Sequence, residues 1–340
     1  MYRLGRLVLA TWAIASVAFI LSHVNSQQSE QTAFGRFDAL GPRGSTAVLL
    51  ASRQAWRHRL GLDAPLFYVT RSPGPPVRWH WHGLHNQYHR WLQQLLHGQL
   101  GISYHDGQPV GLRIKAALVY TVPLMLLALV LAVCLALLLA RYIAAGSGLL
   151  RRAILLGLLG LQALPLFALA LGLLLLLANP ELLNILPADD PANDQPSPSS
   201  LAAHLLLPLL SLVLASLPEL TLPLVTTLRH ELAQPYATAA RAKGLSVAQV
   251  LRRHALPNAL LPLVVLLAGL LPNLAAGAVV VEVLFALPGM GRLLASAAAT
   301  QDFPVLLAGV LLVAAARLLA LLAADVVQYQ LDPRLRAALA

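Results

Sequence analysis

Charge is scarce in this sequence, and so is cysteine. Only 11% of the residues are Asp, Glu, Lys or Arg while 58% are hydrophobic. A soluble domain carries about 25% charged residues, so an ordinary water-soluble globule is excluded. One cysteine, Cys134, lies inside an apolar run, which rules out a disulfide framework or a cysteine-based metal site within the chain. No GxxxxGK[ST] phosphate loop occurs in the 340 residues, so ATP cannot be bound and hydrolysed by that route. HExxH is missing too, and no Ser/His/Asp order with a nucleophile elbow is visible. An enzyme acting alone, with or without a cofactor, is not expected.

Long apolar runs are what the chain does have. Crossing about 30 Å of hydrocarbon takes roughly 20 mostly apolar residues. Six stretches meet this, at 7–24, 116–140, 153–178, 201–226, 259–283 and 305–327. The net charge of +10 could suggest nucleic acid, but the basic residues flank apolar runs, the pattern of membrane topology. Arg3, Arg6, Arg141, Arg151, Arg152, Arg229, Arg241, Lys243, Arg252, Arg253, Arg334 and Arg336 all fall on one side of a six-span chain. The loop 179–200 carries Glu181, Asp189, Asp190 and Asp194 with no Lys or Arg. Both termini are therefore expected in the cytoplasm.

The segment 25–115 would face outward. Within it, Tyr88, Trp91, Leu92, Leu95 and Leu96 recur at helical spacing, which predicts an amphipathic helix over 87–97 lying on the membrane face. The run 7–24 also has the basic start and apolar core of a signal peptide, an alternative to a retained first helix.

Between the fourth and fifth spans lies a basic, Ala-rich stretch, residues 226–262. Pro235 stands near one helix start, Gly244 is a favoured helix terminator, and Ser246 is a good N-cap for a helix over 247–255. The pattern is helix, tight turn, helix. Ala237, Ala239, Ala240 and Ala242 would let another surface approach closely, and Arg241 and Lys243 offer it charge. The plainer reading is a cytoplasmic loop whose basic residues only enforce topology.

Thr238-Ala239-Ala240, then Gly244, then Leu256-Pro257, resemble in order and spacing the EAA loop of ABC-transporter membrane subunits. Thr238 stands where Glu is usual and His254 where Ile is usual. The fuller string ARAKGLS…VLRRHALPNALLP is similar to the dipeptide/oligopeptide/nickel importer permease family. So are Leu60–Leu66 (LGLDAPL), Gly98–Ser103 (GQLGIS), Val281–Arg292 with its VExxFxxPGxGR order, Asp302-Phe303-Pro304-Val305 and Leu331-Asp332-Pro333-Arg334. The stretch Gly101–Val110 looks closest to the Sap-type peptide transport branch, which is associated with antimicrobial-peptide resistance and, in some members, polyamine export.

This resemblance implies an all-α integral membrane protein of six transmembrane helices. Its parts would be a first helix at 1–24, a periplasmic segment at 25–115 and a transmembrane domain at 116–340, with a cytoplasmic coupling loop at 227–258. It also implies an inner-membrane permease subunit that pairs with a second homologous permease and two ABC ATPase subunits. A periplasmic solute-binding protein would serve if it imports. Tyr236, Thr238, Ala239, Ala240, Arg241, Lys243, Gly244, Leu256 and Pro257 would then form the ATPase-coupling element. Two other readings stay open: a subunit exporting polyamines, and a non-transporting membrane scaffold that recruits an ATPase for signalling. Membrane lipid is the surrounding partner, and no nucleic acid is expected.

Ionisable groups inside spans are costly and face a bundle interior or cavity. Here they are Glu219, Glu282, Arg317 and Asp325, with Asn273, Gln162 and His204 as polar companions. Glu219, Asn273, Glu282 and Arg317 are the candidate cavity residues, and a pair between Arg317 and a carboxylate that fixes helix packing is the competing reading. Gly157, Gly160, Gly269 and Gly277 would mark close helix contacts. His80, His82, His85 and His89 form a cluster, of which the last three share a face if helical. With no carboxylate near, a solvated loop is expected there and no metal site.

Overall fold

The computed structural model describes residues 5, 9–10, 12–17, 19–20, 54, 64–71, 78–178 and 198–331. The chain divides into two compact units, Met1–Ile114 with Ser296–Leu312, and Lys115–Ala295 with Val313–Ala340.

In the first unit, the described residues between 5 and 20 are helical, and Phe19 is 1% exposed. Its ring meets Phe67, Tyr88 and Trp91 at centroid distances of 6.0, 5.2 and 5.1 Å, an edge-on and tilted cluster of the kind aromatic quadrupoles favour. Tyr88 and Trp91 come from α1 (Gln87–Leu96). The N-cap Asn86 is buried, and its side chain accepts the His89 N–H at 2.7 Å, so the helix starts where its first free amide finds a partner. The predicted amphipathic helix is thus present, with part of its apolar face packed on Phe19 and Phe67 while Leu96 stays exposed. Strands β1 (Val69–Arg71) and β2 (Trp79–Trp81) pair antiparallel just before it.

The second unit holds most of the long helices. These are α2 (Val110–Ala144, entering it at Lys115), α3 (Leu149–Ala163), α4 (Leu166–Leu177), α5 (Pro198–Ala233), α6 (Pro235–Ala242), α7 (Val247–Val250), α8 (Leu256–Leu284), α9 (Met290–Ala299, up to residue 295) and α10 (Phe303–Leu331, from residue 313). Among the described residues, four helices are long and apolar enough to cross a membrane: Val110–Ala144, His204–Ala233, Pro262–Leu284 and Phe303–Val327. They coincide with four of the expected spans.

A fifth, expected over 153–178, is bent. The axes of α3 and α4 meet at 109°. Pro165 accounts for the break: Leu164 before it is extended (ψ 124°), as the residue ahead of a proline prefers, and Pro165 caps α4. The first expected span lies only in part within the described residues. The acidic loop 179–197 and Arg334 and Arg336 lie outside them.

α5 is the most enclosed of the spanning helices. It packs against α3, α4 and α8, and Leu212, Leu220, Leu224 and Leu228 are buried along it. Small residues permit the close approach that van der Waals packing in lipid needs. Ala128, Ala132, Ala136 and Ala140 form a fully buried stripe at four-residue spacing on α2. A Cβ at Gly277 would sit 2.9 Å from Leu166 and 3.1 Å from Leu212, so the expected contact exists there. At Gly157, Gly160 and Gly269 a Cβ would meet nothing within 4 Å.

Candidate functional site

The loop between α5 and α8 folds as an elbow built from local chemistry. Pro235 opens α6 at a position where its missing N–H costs nothing. Gly244, at φ +90°, ends it. There the Gly244 N–H donates to Arg241 O at 2.9 Å and the Leu245 N–H to Ala240 O at 3.2 Å, the paired bonds of a Schellman turn. Ser246 then caps α7 with a full capping box: the Gln249 N–H donates to Ser246 Oγ and the Ser246 N–H to Gln249 Oε1. Beyond Val250 the expected α-helix widens. Leu251–Ala255 is a π-turn, with the Leu256 N–H reaching back to Leu251 O. Pro257 follows, and having no N–H it leaves the normal ladder one donor short.

The alanines divide between two faces. Ala237 and Ala240 are buried against Val250, Leu232 and Leu245, holding α6 on α7. Ala239 and Ala242 point outward with Tyr236, Thr238, Arg241, Lys243 and Gly244. Arg241 folds back toward the start of α6, donating to Thr238 Oγ1 on its own helix and to Leu232 O at the end of α5, at 3.3 Å each. The outward surface is therefore small at its centre and basic at its C-terminal end. Leu256 is half-buried and Pro257 exposed at the start of α8.

Two residues that sequence reasoning passed over tie this elbow to the long helices. The Tyr236 hydroxyl donates to Glu231 Oε2 at 2.5 Å, and Asn258 Nδ2 donates to the same oxygen at 2.9 Å and to the Tyr236 hydroxyl at 3.3 Å. Burial and then the Glu231 bond push the Tyr236 hydroxyl above its ordinary pKa, which keeps it a donor. The ring of His254 packs edge-on to Tyr236 at 6.3 Å. The end of α5, α6 and the start of α8 are thus stapled at one point.

Among the candidate cavity residues, Glu219 and Asn273 come together. Both are exposed, and Asn273 Nδ2 donates to Glu219 Oε2 at 3.2 Å. Arg317 is exposed on α10, and no ion pair to it is found among the described residues. Glu282 presents nothing to solvent. Fully buried, it accepts Thr121 Oγ1–H at 2.6 Å and the Gly291 N–H at 2.6 Å, while the Met290 N–H donates to Thr121 Oγ1 at 2.7 Å.

This knot explains the VExxFxxPGxGR order. A Cβ at Gly289 would fall on the Glu282 carboxyl group and one at Gly291 on Val279, while Arg292 donates to Ala286 O. α8 ends there in a second Schellman turn, with the Leu287 N–H on Glu282 O and Ala286 at φ +54°.

In the first unit two further motifs meet. Asp302, 1% exposed, accepts the Ser103 hydroxyl, the Tyr104 N–H at 3.0 Å and Arg113 Nη1 at 3.3 Å. Arg113 also pairs with Asp106 at 3.3 Å. Burial, and then the charge of Asp302, push the Tyr104 hydroxyl up to about 12. Gly101 turns at φ +84° beside Pro304.

The histidines do not share one helical face. His80 lies on β2, His82 follows it and bonds Thr70 Oγ1 at 2.6 Å, and only His89 is in α1, bonded to the Tyr68 hydroxyl at 3.1 Å. Gly83, at φ +58°, turns the chain between them.

Residues 132–337 match the family described as binding-protein-dependent transport system inner membrane component. Over nearly its whole length the chain is similar to the probable D,D-dipeptide transport system permease protein DdpB of Escherichia coli (strain K12), at 29% identity covering 97% of this chain and 94% of that protein. It is similar in the same way to the dipeptide transport system permease protein DppB of Lactococcus lactis subsp. cremoris (strain MG1363), at 25% over 98% and 97%. The oligopeptide transport system permease protein AppB of Bacillus subtilis (strain 168) is 36% identical over 39% of this chain and 42% of that protein.

Proposed function

The chain belongs to the family of binding-protein-dependent transport system inner membrane components, and from that premise we propose how it works as an ABC-transporter permease that moves peptides or related cationic solutes. Its power comes from separate ATPase subunits, since its own sequence has no phosphate loop. The observation that carries the mechanism is the elbow: α6 shows a small, basic outer surface while Ala237 and Ala240 lock its inner face to α7. A rigid element of that shape can sit in a groove on a partner and pass on its displacement. The staple Glu231–Tyr236–Asn258 hands that displacement to α5 and α8, which carry Glu219 and Asn273.

In this reading two ATPase subunits bind nucleotide, close, and push the surface made by Tyr236, Thr238, Ala239, Arg241, Lys243 and Gly244. Ala240 keeps that surface in place from behind, and Leu256 and Pro257 open α8, the helix that receives the displacement. A second homologous permease completes the path, and a solute-binding protein delivers cargo on the outer side. Six spans, with both termini and the elbow on the cytoplasmic side, fit the distribution of basic residues. The relatives' names give dipeptides and oligopeptides as cargo; the Sap-type likeness of Gly101–Val110 rests on sequence alone. Nothing in those names favours polyamine export or a signalling scaffold.

Gly244→Pro tests the elbow. Proline cannot take φ +90° and removes the N–H given to Arg241 O. The variant is expected to insert normally and to lose ATP-driven transport, and normal uptake at normal protein level would refute the assignment.

A further inference from the structure

α5 and α8 leave a small and polar face uncovered where α2 leaves a large apolar one. On α2 the exposed side chains include Val119, Leu126, Leu127, Val130 and Leu138, a composition that hydrocarbon accepts. Along α5 the exposed positions include Glu219, Pro223, Thr226 and His230, three or four residues apart on one face. Exposed positions on α8 recur in the same way at Asn258, Pro262, Val265, Gly269, Asn273 and Ala276. A carboxylate turned to hydrocarbon costs several kcal/mol, so this face opens on water or on protein.

Glu219 lies 12 residues before Glu231 (231 minus 219), which places it about 18 Å along α5 from the staple. That is near the middle of a hydrocarbon layer about 30 Å thick. The pair is chemically one-sided. Asn273 Nδ2 donates to Glu219 Oε2 at 3.2 Å, and among the described residues Glu219 Oε1 and Asn273 Oδ1 take no other bond. A carboxyl group and an amide oxygen with acceptor capacity left over complement an ammonium group, which has three donors and no acceptor.

We propose that Glu219 and Asn273 form a mid-span subsite that takes the ammonium group of the solute in transit. The group is the free amino terminus of a peptide or an amine of a polyamine, which share this chemistry. The assignment rests on the transport reading above and adds to it where, and by which atoms, the cargo is recognised. The placement also links recognition to drive, because the same two helices carry the subsite and the staple.

The test uses the complete transporter in vesicles, with dialanine, N-acetyl-dialanine and putrescine as solutes. Glu219→Gln keeps shape and removes charge. It is expected to lower dialanine uptake about tenfold at subsaturating concentration while N-acetyl-dialanine uptake changes little, so discrimination between the two collapses. Loss confined to putrescine also supports the subsite and assigns its ligand to the polyamines. Asn273→Ala should move the ratio the same way by a smaller factor, and it decides the matter should Glu219→Gln fail to accumulate. An equal effect on all three solutes, or none, overturns the subsite and leaves the transport reading standing. Failure of the unaltered transporter to move any of the three with ATP overturns both.

Discussion

Tyr236→Phe removes one oxygen from the staple and little else. The ring stays, with its edge-on contact to His254. What disappears is the 2.5 Å bond to Glu231 and the acceptor for Asn258 at 3.3 Å. A hydrogen bond to a charged group is worth about 1.5–3 kcal/mol. Tyr236 is 38% exposed, and solvent screening lowers that to about 1 kcal/mol. Asn258 still holds Glu231 at 2.9 Å, so the staple loosens without opening fully. About 1 kcal/mol is roughly a fivefold shift in the local equilibrium. Hydrogen exchange of the amides of α6 should therefore quicken about fivefold, with α5 protection unchanged near Leu220 and Leu224. In vesicles holding the assembled transporter, the ATP spent per solute moved should rise, because part of each stroke no longer reaches α5 and α8. If exchange quickens while the ATP-to-solute ratio holds, Glu231–Tyr236–Asn258 is a local brace and carries no stroke.

Two further outcomes concern stability. Ala286 sits at φ +54°, which costs an L-residue roughly 1–2 kcal/mol, part of which glycine would give back as chain entropy. Ala286→Gly should stabilise the protein by about 0.5–1 kcal/mol in thermal unfolding, and a lowered midpoint would show that the methyl packs usefully. Asp302→Ala strips the partners of Ser103, Tyr104 N–H and Arg113 from a buried site, at a cost of about 3 kcal/mol. An unshifted midpoint would mean that Asp106 alone holds Arg113.

What the sequence made legible were features whose cause is local. Apolar length marks α2, α5, α8 and α10, and Pro235, Gly244 and Ser246 each act within a turn of their own position, so the elbow could be drawn from residues alone. The bend at Leu164–Pro165 was hidden by a leucine-rich run on both sides, although the proline carries its signal. Which alanines face inward could not be read, because a methyl fits either side of α6; only Val250 and Leu232 decide it. Glu231 and Asn258 are 27 residues apart, and Glu282 and Thr121 are 161 apart. Such pairs leave no periodic trace, and only their motif company hinted that Glu282 matters. For the histidines spacing alone would allow His82, His85 and His89 one helix face, but Gly83, visible in the sequence, turns the chain and β2 precedes it, so they do not share one.

The central claim is that the outer face of α6 rests on a separate ATPase subunit. It is tested most directly by cross-linking from single cysteines placed at Ala239, which points outward, and at Ala237, which is 0% exposed, in a chain whose one native cysteine, Cys134, is replaced by serine. A cross-link is expected from position 239 to a nucleotide-hydrolysing subunit, altered by ATP, and none from position 237. Labelling of position 239 by a membrane-impermeant thiol reagent on intact cells, with no ATPase adduct, would contradict it.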